Sequence, residues 1–198
     1  MLDHQRERLI NAMVETVNAK GYQATSVADV LALAHVSRST FYELFRDKED
    51  CFLACYDRGT SLVSDATIAA LAQGGPWQQR IRRAYRAVTA TFAEHPHLAR
   101  VCMVEALTAG PAANARYQAA IAGLVAVVEQ DMIDDPAVSA IPRLVLLGLV
   151  GGIAAIIHAE ILAGRTNQLP AMAPQLARFH LACVSSYGPA GDYLGLSE

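Results

Sequence analysis

Apolar residues recur along most of the chain at intervals of three and four, and no segment sustains the strict alternation of a half-buried strand. Residues 3–20 put Ile10, Met13, Val14 and Val17 on one helical face, with Asp3 as the expected cap and Gly21 just past the end, where a left-handed residue stops a helix. The stretch from Thr25 to Glu49, TSVADVLALAHVSRSTFYELFRDKE, is the one around which the rest of the chain is organised. Ser26 is an N-cap, and Asp29 reaches back to its N–H in a carboxylate version of the capping box. Val27, Val30, Leu31 and Ala34 then fall on one stripe. The pattern breaks at His35, and Ser37 offers a second cap for a helix over Arg38 to Phe45. Helices this short cannot stand alone in water, and so tight a turn forces them to cross steeply: a helix-turn-helix.

Asp47 caps the next helix, which continues past Gly59 to about residue 73 and is long enough to leave a small domain and enter a second. All eight prolines lie from Pro76 onward. Because proline is tolerated in a helix's first turn and breaks its interior, they partition the remainder into helices at 76–94, 96–108, 111–133, 142–163 and about 170–186. The expectation is an all-α protein of about nine helices. Residues 1–48 are expected to form an N-terminal three-helix domain that holds the helix-turn-helix, 49–188 a second, C-terminal helical domain, and 189–198 a loose tail.

With 53% hydrophobic residues in 198, the chain can bury a substantial core, and disorder is excluded. Net charge is −3, and the first 48 residues balance six basic against six acidic groups. A nonspecific DNA coat would be basic, so any DNA binding rests on the placement of a few groups. On the second short helix Phe41, Leu44 and Phe45 share one side, while Ser39, Thr40, Tyr42 and Glu43 turn to the other, with Arg38 and Arg46 at the ends. A solvated face would carry more Lys and Glu. Hydroxyls beside arginine suit a major groove, so Ser37, Arg38, Ser39, Thr40, Tyr42 and Lys48 are expected to face DNA. Arg38 or Thr40 would touch bases, Tyr42 and Lys48 would hold phosphates, and Thr25 would add a phosphate contact.

Over roughly residues 4–55 the chain resembles the TetR-type (tetracycline-repressor-like) bacterial transcriptional regulators. Gly21, Thr25, Val27, Val30, Ala34, Val36, Ser37, Thr40, Tyr42, Phe45, Lys48 and Glu49 match in order and spacing. His35 stands where the family usually has Gly, a position His can fill because it visits the left-handed region more readily than most residues. Leu31 replaces a usual small Ala, and Glu43 and Leu44 a commoner pair of polar or aromatic residues. The resemblance implies that residues 1–48 are a DNA-binding domain and 49–188 a ligand-binding and dimerisation domain, with a homodimer through the last two helices, a near-palindromic double-stranded DNA operator, and a small effector held between the middle helices. It thus points to a ligand-responsive transcriptional repressor. For the dimer interface the apolar faces supply Leu144, Gly148, Gly152, Ile156, Leu176, Phe179 and Cys183, with the two glycines allowing close helix approach. For the effector site the middle helices supply Tyr85, Phe92, Met103, Leu107, Tyr117 and Ile121, together with Trp77. Glu105, Tyr117 and His158 are its polar candidates. One carboxylate and no evident buried Lys or Arg suggest a mostly apolar molecule, neutral or weakly cationic.

The four cysteines form no CxxC pair and read as reduced core thiols of a cytoplasmic protein; Cys51 and Cys55, one turn apart, could also make a redox pair. The most apolar run, Leu144 to Ile157, is 14 residues, short of the about 20 a membrane span needs, and so reads as a helix buried on most sides. The arginines of Gln79–Arg86 read as a solvated face. His95 and His97 lack a third ligand nearby, so neither metal nor cofactor is expected. No nucleophile, zinc or phosphate-loop motif appears in a credible context. An all-α enzyme, or an interaction module keeping the helix-turn-helix as scaffold, are the alternatives. The first lacks a positioned catalytic set and the second leaves the hydroxyl-rich face unexplained.

Overall fold

The computed structural model describes residues 2–132 and 141–185, and the expected tail at 189–198 lies outside them. Among the described residues there are nine α-helices and no strand: α1 (Leu2–Lys20), α2 (Val27–Ala34), α3 (Arg38–Leu44), α4 (Lys48–Leu71), α5 (Trp77–Glu94), α6 (Pro96–Met103), α7 (Pro111–Met132), α8 (Arg143–Leu162) and α9 (Leu169–Ser185). The protein is all-α, with the helix-turn-helix at its N-terminus. Two compact units divide the chain, residues 1–62 with 95–117, and residues 63–94 with 118–198. The first therefore extends past residue 48 along α4 and takes in α6 and the start of α7.

In the first unit α1 packs against α2, α3 and α6. Leu9, Ile10, Met13 and Val17 of α1 meet Val30, Phe41, Phe45 and Phe52 in one core. Local signals set the corners. Gly21 ends α1 in the left-handed region at φ +80°. The Ser26 side chain accepts the Asp29 N–H while Asp29 accepts from the Ser26 N–H, completing the capping box. His35 closes α2 at φ 50°, ψ 45°, the one non-glycine residue with positive φ among those described. Gly59 has a packing reason, because a Cβ there would collide with Cys102 Sγ of α6.

α6 ends at Met103, five residues earlier than its proline spacing suggests. The chain tightens there into a 3-10 turn at Glu105–Leu107, which carries the buried Glu105 inward.

In the second unit α5 packs along α9, and α8 against α9. Arg80 and Arg83 do not lie on a merely solvated face. Arg80 pairs with Asp131 at 2.7 Å, and Arg83 donates to the carbonyls of Ala70 and Gly74. The expectation that α8 is buried on most sides meets a mixed result. Leu146, Leu149, Val150, Ile153, Ala154, Ile157 and Ile161 are buried, but Leu144 is 79% exposed, and Leu147, Ile156 and Leu162 are also exposed. At 20 residues α8 is long and apolar enough to cross a membrane by length and composition, with 39% of its apolar window buried inside the protein.

Candidate nucleic-acid interface

α3 is held from beneath by Phe41 and Phe45, fully or almost fully buried, whose rings lie 5.8 Å apart. With that side fixed, Ser37, Arg38, Ser39, Tyr42 and Glu43 face solvent and Thr40 is half-buried. Ser37 Oγ caps α3 by accepting the Thr40 N–H at 3.1 Å. It also lies 2.8 Å from Ser39 Oγ and 2.9 Å from Thr40 Oγ1, so three hydroxyls form one hydrogen-bonding cluster at the helix start. The Arg38 guanidinium lies over the Tyr42 ring, 5.6 Å from its centroid. This stacking of a cation on an aromatic face orients Arg38 along the exposed side of α3.

The flanking charges are tied down locally. Arg46 is exposed and pairs with Asp50 at 3.0 Å, which lowers the Asp50 carboxyl below its usual range. Lys20 pairs with Asp29 at 2.6 Å, and bonds from Lys20 and Ser26 hold Asp29 well below the ordinary carboxylate range. Arg8 donates to the His35 carbonyl at 3.1 Å, bracing the left-handed turn.

Lys48 points toward the corner between α1 and α2. Its ammonium donates to the carbonyls of Tyr22 and Thr25 at 3.1 and 3.0 Å and sits 4.1 Å from the Tyr22 ring centroid. Thr25 is buried, and its hydroxyl donates to the Gly21 carbonyl at 2.8 Å. The same corner receives Glu105, whose Oε2 accepts the Tyr22 N–H at 3.0 Å while Oε1 meets Arg100 at 3.0 Å. Gln23 donates to the Thr108 carbonyl and Asn18 to that of His97. The segment from His97 to Thr108 is thus pinned to the reader by three separate hydrogen bonds. A groove of about 340 Å³ on the same unit is lined by Arg6, Arg58 and Arg116 but also by Glu7, Asp50 and Asp57, so it presents no net charge.

The effector candidates divide between the units. Met103, Glu105, Leu107 and Tyr117 belong to the first, and Tyr85, Phe92, Ile121 and His158 to the second. Met103 and Phe92 are buried, Tyr117 and Ile121 half-buried, and Leu107 exposed. Trp77 is buried at the start of α5. Burial raises the Tyr117 hydroxyl pKa, and raises that of Tyr85 further. Tyr85 meets a residue that the sequence pattern does not single out, His180 of α9, with its hydroxyl 2.9 Å from Nδ1. The sole sequence signal for His180 is that it is the one polar group on the stripe of Ala173, Leu176, Ala177, Leu181 and Val184. Of the expected dimer residues, Leu144, Gly148, Gly152, Ile156 and Phe179 are exposed, Cys183 is half-buried, and Leu176 is inside the second unit's own core. Burial pushes the Cys102 thiol up to about 12 and Cys55 well above its ordinary value, so both are held in the thiol form.

Residues 9–55 match the family model for bacterial regulatory proteins of the tetR family. The fold is similar to that of the fatty acid degradation regulator FadR from Bacillus halodurans, with a TM-score of 0.79 at 15% identity over 89% of this chain and 94% of that one. It is also similar to FadR from Bacillus subtilis in complex with stearoyl-CoA, with a TM-score of 0.75 at 15% identity over 90% and 97%. A TetR family transcription regulator from Marinobacter aquaeolei gives a TM-score of 0.66 at 23% identity over 88% and 95%. The N-terminal helix-turn-helix thus matches that of the tetR family of bacterial regulatory proteins, and the all-α fold of the chain is similar to that of solved TetR-like transcriptional regulators.

Proposed function

We propose that the protein is a cytoplasmic, homodimeric repressor that reads a near-palindromic operator through α3 and leaves it when a mostly apolar small molecule binds. The observation that carries the reading is the outward face of α3, where the Ser37, Ser39 and Thr40 hydroxyls and an Arg38 stacked on Tyr42 replace the Lys and Glu of an ordinary solvated helix. Arg38 presents the planar fork that pairs with guanine, and the hydroxyls suit phosphates and base edges. Lys48 and Thr25 serve this surface by fixing the α1–α2 corner, and Lys48 is the first residue of α4, a helix N-terminus, where a phosphate is favoured.

The second copy would cover α8 and α9. Leu144, Gly148, Gly152 and Ile156 recur every four residues on an exposed apolar line, with Phe179 exposed on α9, a surface that costs solvation unless a like surface meets it. Half-sites one DNA turn apart, or a multiple of it, then result from two-fold symmetry. The effector assignment draws on the apolar content of the middle helices and on the FadR neighbour with stearoyl-CoA, an apolar chain on a polar head. Effector and operator are linked reciprocally, by about 1–3 kcal/mol in typical cases. The test is a mobility-shift titration of DNA upstream of the protein's own gene at rising salt. Tight, sequence-dependent binding that persists at physiological salt is expected. Binding equal to that of scrambled DNA would overturn the reading.

A further inference from the structure

His180 is the most enclosed polar side chain of the second unit whose hydrogen-bonding capacity is only half used. It is 1% exposed, its Nδ1 is bonded to the Tyr85 hydroxyl, and its Nε2 has no hydrogen-bond partner among the described residues. Two other buried hydroxyls of the second unit are spent internally. Thr89, one turn after Tyr85, gives its hydroxyl to the Tyr85 carbonyl at 2.8 Å, and Thr67 gives its own to the Val63 carbonyl at 2.7 Å. Around His180, Leu176, Ala177, Leu181 and Val184 are all buried and apolar. An imidazole in such a place disfavours the fold unless its second nitrogen has a use, because a phenyl ring would fill the same space with no polar atom to satisfy.

The Tyr85 contact decides which use is open. Phenol is the better acid and imidazole the better base, so the Tyr85 hydroxyl donates and Nδ1 accepts. The ring proton then sits on Nε2, and the unused atom is a donor. A partner must therefore offer an acceptor. It must also be uncharged, since Leu176, Ala177, Leu181 and Val184 around the ring are apolar and burying a carboxylate among them without a cation to pair it is costly, while Arg80 and Arg83 of the same unit are already committed, the one to Asp131 and the other to backbone carbonyls.

We infer that the α5–α9 layer is a ligand site whose polar anchor is the Nε2–H of His180, oriented by the Tyr85 hydroxyl, and whose ligand is an apolar chain bearing an uncharged carbonyl, as in an ester, thioester or ketone. The inference rests on the effector-responsive reading above and narrows its chemistry. Leu176, Leu181 and Val184 supply the apolar surroundings of the anchor, Tyr85 sets the tautomer, and the carbonyl oxygen takes the single hydrogen bond.

Methyl octanoate, octanoate and nonane serve as matched probes of chain plus ester, chain plus carboxylate and chain alone. With the full-length protein, methyl octanoate should raise Tm and move the ring-nitrogen resonance of His180 in a ¹⁵N spectrum, and nonane should bind about tenfold more weakly for lack of the bond. Octanoate should bind no better than nonane. H180F, which keeps an aromatic ring and loses the donor, should bind the ester about tenfold more weakly than the native chain, and Y85F should bind it less well while leaving nonane unaffected. Equal ester binding by H180F, an unmoved His180 resonance in the native chain, or no binding of any probe would each overturn the site. Operator binding by the native chain without probe is measured beside it. If that succeeds while the ester fails, only this inference falls, and if it fails, the regulator reading falls by itself.

Discussion

Glu105→Ala should loosen the reader from a position outside it. The carboxylate is 6% exposed and makes two bonds of 3.0 Å, one to the Tyr22 N–H and one to Arg100. Removing it leaves a buried backbone donor unpaired, which costs about 1–3 kcal/mol. The Arg100 side chain is 34% exposed, so its half of the loss is screened and adds about 1 kcal/mol or less. The sum, about 1–4 kcal/mol, corresponds to a fall in Tm of about 2–16 °C for a chain of this size. Glu105→Gln separates the parts, because the amide oxygen can still accept the Tyr22 N–H while the ion pair is gone. It should lose only about 1 kcal/mol. Because the Tyr22 ring and carbonyl also hold Lys48, the alanine variant should weaken operator binding as well, although no atom of Glu105 belongs to the face of α3. Thermal melts and mobility shifts on the two variants measure this. Equal Tm losses for Ala and Gln, or a loss below about 1 °C for Ala, would refute the assignment of Glu105 as the clasp of the corner.

Tyr42→Phe removes an exposed hydroxyl and should leave stability within about 0.5 kcal/mol while lowering operator affinity. Lys48→Met should do both kinds of damage, since its bonds to two carbonyls are worth about 1–2 kcal/mol together, and melts that match the native chain would contradict the observed role of the ammonium. Gly152→Arg should yield a folded monomer by size-exclusion chromatography: a Cβ there meets nothing within 4 Å in the single chain, so an unchanged dimer would remove α8 as the interface. Burial lowers His180 to about 4 against an ordinary 6.5, so as pH falls the unfolded chain takes up the proton first. The stability this contributes is fully present above pH 6.5 and is lost between there and about pH 4, about 3 kcal/mol in all; denaturant melts of H180F should lack that slope, and identical slopes would show that the ring is not held neutral.

The features legible in the sequence are those that neighbours in the chain decide. The Ser26–Asp29 capping box, the Ser37 cap, the left-handed His35 and the stop at Gly21 each involve residues within four positions of one another, and together they set the helix-turn-helix. Once Phe41 and Phe45 are assigned inward, the outward hydroxyl face of α3 results from helical geometry. The groups that escape sequence reasoning depend on distant partners. Lys48 meets Tyr22 across 26 positions, Glu105 meets it across 83, and Tyr85 meets His180 across 95. Periodicity tells which face a residue occupies but not what stands opposite. Glu105 therefore reads as a free carboxylate for a ligand, though the structure spends both of its oxygens on the reader's corner and a neighbouring arginine. His180 escapes notice because a single polar residue in an apolar stripe carries no pattern of its own.

The charge balance of the reader leads to one more prediction, which concerns salt. Six basic residues among the first 48 would suggest a strong electrostatic grip, yet Lys20 is paired with Asp29, Arg46 with Asp50, Arg8 with a carbonyl, and Arg6 lies over the Phe45 ring. Beside α3 the cations within reach of a phosphate are Arg38, Arg46 and Lys48. Arg46 would have to exchange Asp50 for the phosphate, and Lys48 would have to share its protons with two carbonyls. A dimer thus brings at most six such groups, and two if only Arg38 is free. At about −0.9 per neutralised phosphate, log affinity plotted against log salt should have a slope between about −2 and −5. Specificity would then come from the hydrogen-bonding face rather than from charge, and substituting Arg46 with Gln should flatten the slope without changing which operator positions matter. A slope steeper than about −8 would mean that basic residues outside this face grip the DNA, and the interface drawn around α3 would be wrong.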